Sequence, residues 1–147
     1  MRDLLRLPKP LAPARGARRH HVLLAVVAGG AVGAPARAIV ETHLAHDVGA
    51  WPWATLSVNV AGTLLLGWWS TRLPRSTDID PRLHPFLATG ICGGLTTFST
   101  MQLELLEMLD RRALGLAVAY LAASVLAGAA SILAGRAAAH YVHCRNR

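Results

Sequence analysis

Four runs of apolar residues alternate with short polar stretches along the chain, over residues 22–40, 51–69, 83–103 and 113–134. Each run is close to the roughly 20 residues that a helix needs to cross the hydrocarbon of a bilayer. The pattern predicts an all-α integral membrane protein with four transmembrane helices. The intervening stretches agree. Residues 41–50 hold Glu41, His43, His46 and Asp47; residues 71–82 hold Pro74, Asp78, Asp80, Pro81 and the arginines Arg72, Arg75 and Arg82; Asp110, Arg111 and Arg112 separate the last two runs. Trp51 and Trp53 stand at one end of the second run, Trp68 and Trp69 at the other, where amphipathic rings prefer the headgroup region.

Composition reinforces this frame. Of 147 residues, 53% are hydrophobic and only 16% charged, a balance that fits poorly with a soluble domain of this size. The chain divides into a basic tail over residues 1–21, read as disordered, a four-helix membrane domain over 22–139, and a short basic tail over 140–147. The basic leader followed by an apolar stretch and "APARA" has the outline of a cleavable signal, but three further apolar runs would stay in the membrane regardless. Cys92 falls inside a span and Cys144 in a tail, so no disulfide is expected, and the histidines lie at span ends or in loops without metal-ligand spacing.

Charge then orients the spans. With four crossings, the N-terminal tail, the loop between the second and third spans and the C-terminus share one side, which carries 12 Lys and Arg residues; Arg111 and Arg112 are the 2 on the other. Such a bias places both termini in the cytoplasm of a multi-pass protein of the cell membrane. The net charge of +7 is therefore explained by attraction to anionic membrane lipid, and no interleaving of aromatic and basic residues points to nucleic acid.

The polar residues inside the spans carry the chemistry. Arg37 needs a partner, with Glu41 and Glu104 as candidates, or it snorkels to the interface. Gly29-x-x-x-Gly33 has the spacing for close helix packing. In the second span Asn59 has Thr55 and Thr63 one turn to either side on the same face. In the third, "GICGGLTTFSTMQLE" combines Gly93 and Gly94 with Thr96, Thr97, Ser99 and Thr100, poor helix residues and competitors for backbone hydrogen bonds. They predict a helix broken in mid-membrane, an arrangement tolerated only where the freed backbone is buried or lines a cavity. In the fourth span Tyr120, Ser124 and Gly128 form one stripe.

With "GGAVGAPAR", "VNVAGTLLLG" and "GICGGLTTFSTMQLE" in this order, the chain resembles the small fluoride channels of the Fluc or CrcB family over nearly everything from Gly29 to Gly128. The resemblance implies a channel rather than an enzyme: an antiparallel, dual-topology dimer with two narrow pores for passive export of fluoride, and a structural sodium ion at the dimer centre held by main-chain carbonyls of the broken helix. It puts the sodium carbonyls at Gly93 and Thr96, a fluoride contact at Asn59, the first of two pore phenylalanines at Phe98, and the start of a polar track at Tyr120 and Ser124, with Thr55, on the Asn59 face, also counted to the pore and Glu104 matching the family's glutamate. Two positions depart from the family: Met101 stands where a second pore phenylalanine is expected, and Gly128 where a third hydroxyl is. Together with the charge bias, these departures suggest a second subunit that is a paralogue of opposite topology rather than an identical copy. A small multidrug-type exporter would want a glutamate within the first span, which has none before Glu41. A non-transporting membrane subunit would leave the clustered hydroxyls beside Gly93 and Gly94 unexplained.

Overall fold

The computed structural model describes residues 15–45, 47, 49–73 and 80–145, with side chains from Arg19 onward. Most of the basic tail, Arg75, Arg147, Pro74, Asp78 and His46 lie outside the described residues. The helices are α1 (Arg15–His43), α2 (Trp53–Arg72), α3 (Cys92–Leu95), α4 (Ser99–Asp110) and α5 (Leu114–Arg145), with a π-helical stretch, Pro85–Ile91, running without interruption into α3. They form four rods, the third being the π-stretch with α3 and then, after a break, α4.

Helix α1 begins at Arg15, inside the stretch assigned to the tail, and α5 continues to Arg145, beyond residue 139. Once a helix is nucleated, each further residue adds a backbone hydrogen bond, and neither extension holds a proline to stop it. At 32 residues α5 is about 48 Å long, well over the ~30 Å hydrocarbon thickness. The segments Arg19–His43 and Leu114–Arg145 are long and apolar enough to cross a membrane. Helix α2 is long enough at 20 residues, but its Thr55, Ser57, Asn59 and Thr63 dilute its apolar character, and each of them is hydrogen-bonded within the protein.

The rods pair through close backbone approaches that only glycine permits. A side chain on Gly29 would collide with the Phe86 carbonyl oxygen, and one on Gly33 with that of Ile91. The Gly29-x-x-x-Gly33 face is thus filled by the third rod. Advancing four residues along α1 advances five along the π-stretch, so the two run parallel. In the same way Gly67 of α2 meets the Ile132 carbonyl of α5, and Gly135 meets that of Leu64. With Thr55 and Tyr120 sharing a partner twelve residues earlier on each helix, α2 and α5 are also parallel, and antiparallel to the other pair. One end of the bundle therefore holds the start of α1 and the ends of α2 and α5; the end of α1, the start of α2 and the turn 111–113 lie at the other, where Gly49 approaches the Arg111 side chain.

The turn from α4 to α5 takes three residues because Arg112 adopts a left-handed conformation (φ 59). Arg112 N–H donates to the Leu109 carbonyl and Ala113 N–H to that of Met108, both at 2.9 Å, satisfying the last carbonyls of α4. Beneath this turn lies the main buried cluster, Met101, Met108, Ala117 and Tyr120, with Trp51, Leu56, Leu105 and Leu116 against it. Elsewhere the outer surface is apolar: Leu23, Leu24, Val27, Ile39, Val118, Val125, Leu126 and Leu133 are all exposed. Contiguous apolar surface of this kind marks contact with lipid or protein.

Candidate functional site

The third rod breaks at Thr96–Phe98. Thr96 is extended (φ −83, ψ 152), and α4 resumes at Ser99. Gly93 and Gly94, expected to take part in the break, remain helical. Gly94 is there for packing, since a Cβ would lie 2.9 Å from the Gly30 carbonyl oxygen and the Ala34 nitrogen. The break falls three residues later because α2 supplies a better partner for the backbone than the helix does. The Asn59 carboxamide accepts from Thr97 N–H at 2.8 Å and donates to the Thr97 carbonyl at 3.0 Å. Asn59 thus closes both main-chain groups of one residue, the pattern a neighbouring strand would offer. The Asn59 carbonyl in turn accepts the Thr63 hydroxyl at 2.8 Å.

The threonines finish the two helix ends. Thr96 Oγ1 donates back to the Cys92 carbonyl at 2.9 Å. Thr97 Oγ1 accepts from Thr100 N–H at 3.2 Å and lies 2.9 Å from Thr100 Oγ1, which makes it the working cap of α4. Diverting these donors has a consequence. In an unbroken helix Thr97 N–H would go to the Gly93 carbonyl and Thr100 N–H to the Thr96 carbonyl; here the first goes to Asn59 and the second to the Thr97 hydroxyl. Gly93 and Thr96 are therefore left with carbonyls deprived of their helical donors. Gly93 has nothing within 4 Å of its Cβ direction, and Phe98 is 67% exposed, so the broken segment opens outward from the single subunit.

One turn before Asn59, Thr55 joins a second polar cluster that is sealed. Thr55 Oγ1 donates to Glu104 Oε1 at 2.5 Å and the Tyr120 hydroxyl to Glu104 Oε2 at 2.6 Å. Tyr120 is 0% and Thr55 1% exposed. Short bonds from neutral hydroxyls to both carboxylate oxygens are the charge-assisted kind, roughly twice as strong as neutral pairs. Glu104 is thereby committed to α2 and α5. Arg37 pairs instead with Glu41 one turn along α1, at 3.7 Å, and Arg37 Nε and Glu41 Oε1 are both buried without a hydrogen bond.

Of the residues singled out in the sequence, Asn59, Thr96, Phe98 and Gly93 meet at the break, and Thr55, Glu104 and Tyr120 meet in the sealed cluster. Met101 does not share Phe98's surface: it is buried against Tyr120 while Phe98 points out. Ser124 follows Tyr120 by one turn and brings its buried hydroxyl to the Tyr120 hydroxyl; Gly128, a further turn on, faces open space. Trp51, an interfacial aromatic by its place in the sequence, packs edge-on to Tyr120, centroids 5.7 Å apart at 79°, with its indole N–H buried and unpartnered. No local signal separates it from Trp53, which is exposed. Thr97 is one hydroxyl among several in its motif, and its role as the hub of the break depends on a residue 38 positions away.

A family model described as "CrcB-like protein, Camphor Resistance (CrcB)" matches residues 24–136. The chain is 48% identical over 106 residues, 72% of its own length and 80% of the relative's, to the "Fluoride-specific ion channel FluC 1" of Mycolicibacterium paratuberculosis. It is 42% identical over 122 residues, 82% of its length and 90% of the relative's, to the "Fluoride-specific ion channel FluC" of Methanopyrus kandleri. It is 41% identical over 117 residues, 79% and 93% of the two lengths, to the protein of that same name from Rhodospirillum centenum.

Proposed function

The chain belongs to the CrcB-like family, and on that premise we propose that it is a subunit of a fluoride channel that lets fluoride leave the cell passively. The observation that carries the reading is the Asn59–Thr97 clamp, which holds a helix break next to an outward-facing Phe98. Fluoride is small and strongly hydrated, so it leaves water only where dense donors replace the shell. Asn59 spends one N–H on Thr97 and has a second to offer. Phe98 brings the electropositive edge of its ring while its body excludes water. The Ser124 hydroxyl, buried one turn beyond Tyr120, supplies a further donor group. Tyr120 and Thr55 turn their hydroxyls to Glu104, which ties its carboxyl group to α2 and α5.

A structural sodium ion fits the chain's own atoms. The Gly93 and Thr96 carbonyls have lost their helical donors, and carbonyl dipoles of this kind suit a hard monovalent cation. When bound, the ion would add positive potential beside an anion path. A second subunit in antiparallel orientation would bring two broken segments together and cover the exposed Phe98 and Gly93. The bias of 12 basic residues to 2 opposes insertion of one chain in both orientations, so the second subunit is assigned to a paralogue of opposite topology, which would also supply the aromatic and hydroxyl groups missing at Met101 and Gly128.

Fluoride release from vesicles, followed with a fluoride-selective electrode, tests both levels. The chain with an oppositely biased paralogue is expected to conduct and the chain alone to be silent. Release by the chain alone overturns the obligate partner; silence in both preparations overturns the channel. Asn59→Asp, which puts a negative charge on the route, is expected to stop release in whichever assembly conducts.

A further inference from the structure

Away from the break, α2 and α5 leave a groove at the basic end of the bundle. It has a volume of about 270 Å³ and is lined by Leu64, Leu65, Trp68, Trp69, Gly135 and Ala138. Its origin is the close approach at Gly135, where α5 has no side chain and rests on the Leu64 carbonyl and the Trp68 nitrogen. Ala138, nearly one turn on, is small too, so the large side chains of α2 stand above a floor of backbone. Every lining side chain is apolar except for the two indole N–H groups, and tryptophans are the residues that mark headgroup depth.

A cation lies against one of the lining side chains, Trp68. The guanidinium carbon of Arg72, last residue of α2, lies 5.7 Å from the centroid of the Trp68 ring. Its planar guanidinium carries the fork of N–H donors that grips a phosphate bidentately. Leu64 to Trp69 lie roughly 5 to 12 Å deeper along the helix axis than Arg72, within reach of an acyl chain whose headgroup is held at the arginine. The surrounding charge is of the matching sign. Among the described residues Arg19, Arg72, Arg82, Arg136 and Arg145 gather at this end against Asp80, whereas the opposite end mixes Arg37, Arg111 and Arg112 with Glu41, Asp47, Glu107 and Asp110.

The geometry points to a bound anionic phospholipid, its phosphate on Arg72 and one acyl chain in the groove between α2 and α5. This site is separate from the broken helix and stands whatever ion the channel carries. It is tested with the full chain in lipid nanodiscs of phosphatidylcholine doped with equal amounts of chain-brominated phosphatidylglycerol or chain-brominated phosphatidylcholine, reading tryptophan quenching. The component due to the groove is the part lost in Trp68→Phe. Brominated phosphatidylglycerol is expected to quench that component with an apparent affinity about fivefold higher than the neutral lipid, the advantage of one basic residue at an anionic surface. Arg72→Gln should bring the ratio close to one, and Ala138→Phe, which fills the groove, should abolish the component for both lipids. Equal quenching by the two lipids in the unmodified chain, an unchanged preference in Arg72→Gln, or a groove shielded from both lipids by a second copy of the chain would each overturn the site. Should Ala138→Phe fail to fold, Arg72→Gln decides alone, because it alters only the tip of a side chain at a helix end.

Discussion

Helix α2 presents two polar residues one turn apart, Thr55 and Asn59, and the third rod answers them in opposite ways. At Thr55 the rod is helical and the contact is closed: a carboxylate, two hydroxyls and 0% exposure at Tyr120. At Asn59 the rod is unwound and the contact is open: a neutral carboxamide on one peptide unit, with Phe98 facing outward. The contrast teaches how a membrane protein can host irregular backbone. The sealed cluster anchors α4 to α2 and α5 at Glu104, so that seven residues earlier, at Thr97, the chain can give up helical hydrogen bonds without losing its place.

This division of labour is open to attack from the strong side first. Glu104→Ala leaves two buried hydroxyls without their acceptor and opens a cavity, and it is expected to cost about 3 kcal/mol or more, read as a lowered unfolding midpoint in detergent. A midpoint near that of the unmodified chain would mean that the sealed cluster anchors nothing. Asn59→Leu removes both hydrogen bonds of the clamp while keeping the volume, for an expected loss of about 2 kcal/mol; a larger effect than Glu104→Ala would reverse the ranking of the two regions. Thr97→Ala takes away the cap on α4 and should cost about 1 kcal/mol, with accelerated amide exchange confined to the first turn of α4. At the bottom of the scale is the exposed pair at the basic end, where Arg82 donates to Asp80 at 2.8–3.1 Å and holds that carboxyl below the usual carboxylate range. A carboxyl whose folded pKa is depressed stabilises above its unfolded pKa, and loses that effect as pH falls through the folded one. Solvent screens this pair, so Asp80→Asn is expected to leave the midpoint unchanged at neutral pH.

Much of this contrast is legible in the sequence. The apolar runs give four rods, the tryptophans mark the ends of α2, and the cluster of glycines and hydroxyls announces a break in the third rod. The i, i+4 spacing of Thr55 and Asn59 alone puts both on one face of α2. What the sequence does not carry is the choice of break point. Local propensity favours Gly93 and Gly94, yet Gly94 stays helical because α1 needs its bare backbone beside Gly30, and the chain unwinds at Thr96–Phe98 because Asn59 takes the Thr97 peptide. The same holds for Arg37, whose pairing with Glu41 rather than Glu104 follows from Glu104 being claimed by Thr55 and Tyr120. It holds too for Trp51, half-buried against Tyr120 while Trp53 two residues later is exposed. Each outcome is decided by a residue on another rod.

The central claim is that the open region conducts and the sealed region only supports it. Phe98 separates these roles, because it borders the break and is exposed in the subunit, so its loss costs little fold. The direct measurement is fluoride release and unfolding midpoint on one preparation of Phe98→Ile, in the assembly that conducts. The account predicts release slowed by about tenfold or more, the worth of ~1.4 kcal/mol lost on the ion's path, with the midpoint unmoved. Full-rate release from Phe98→Ile would contradict it.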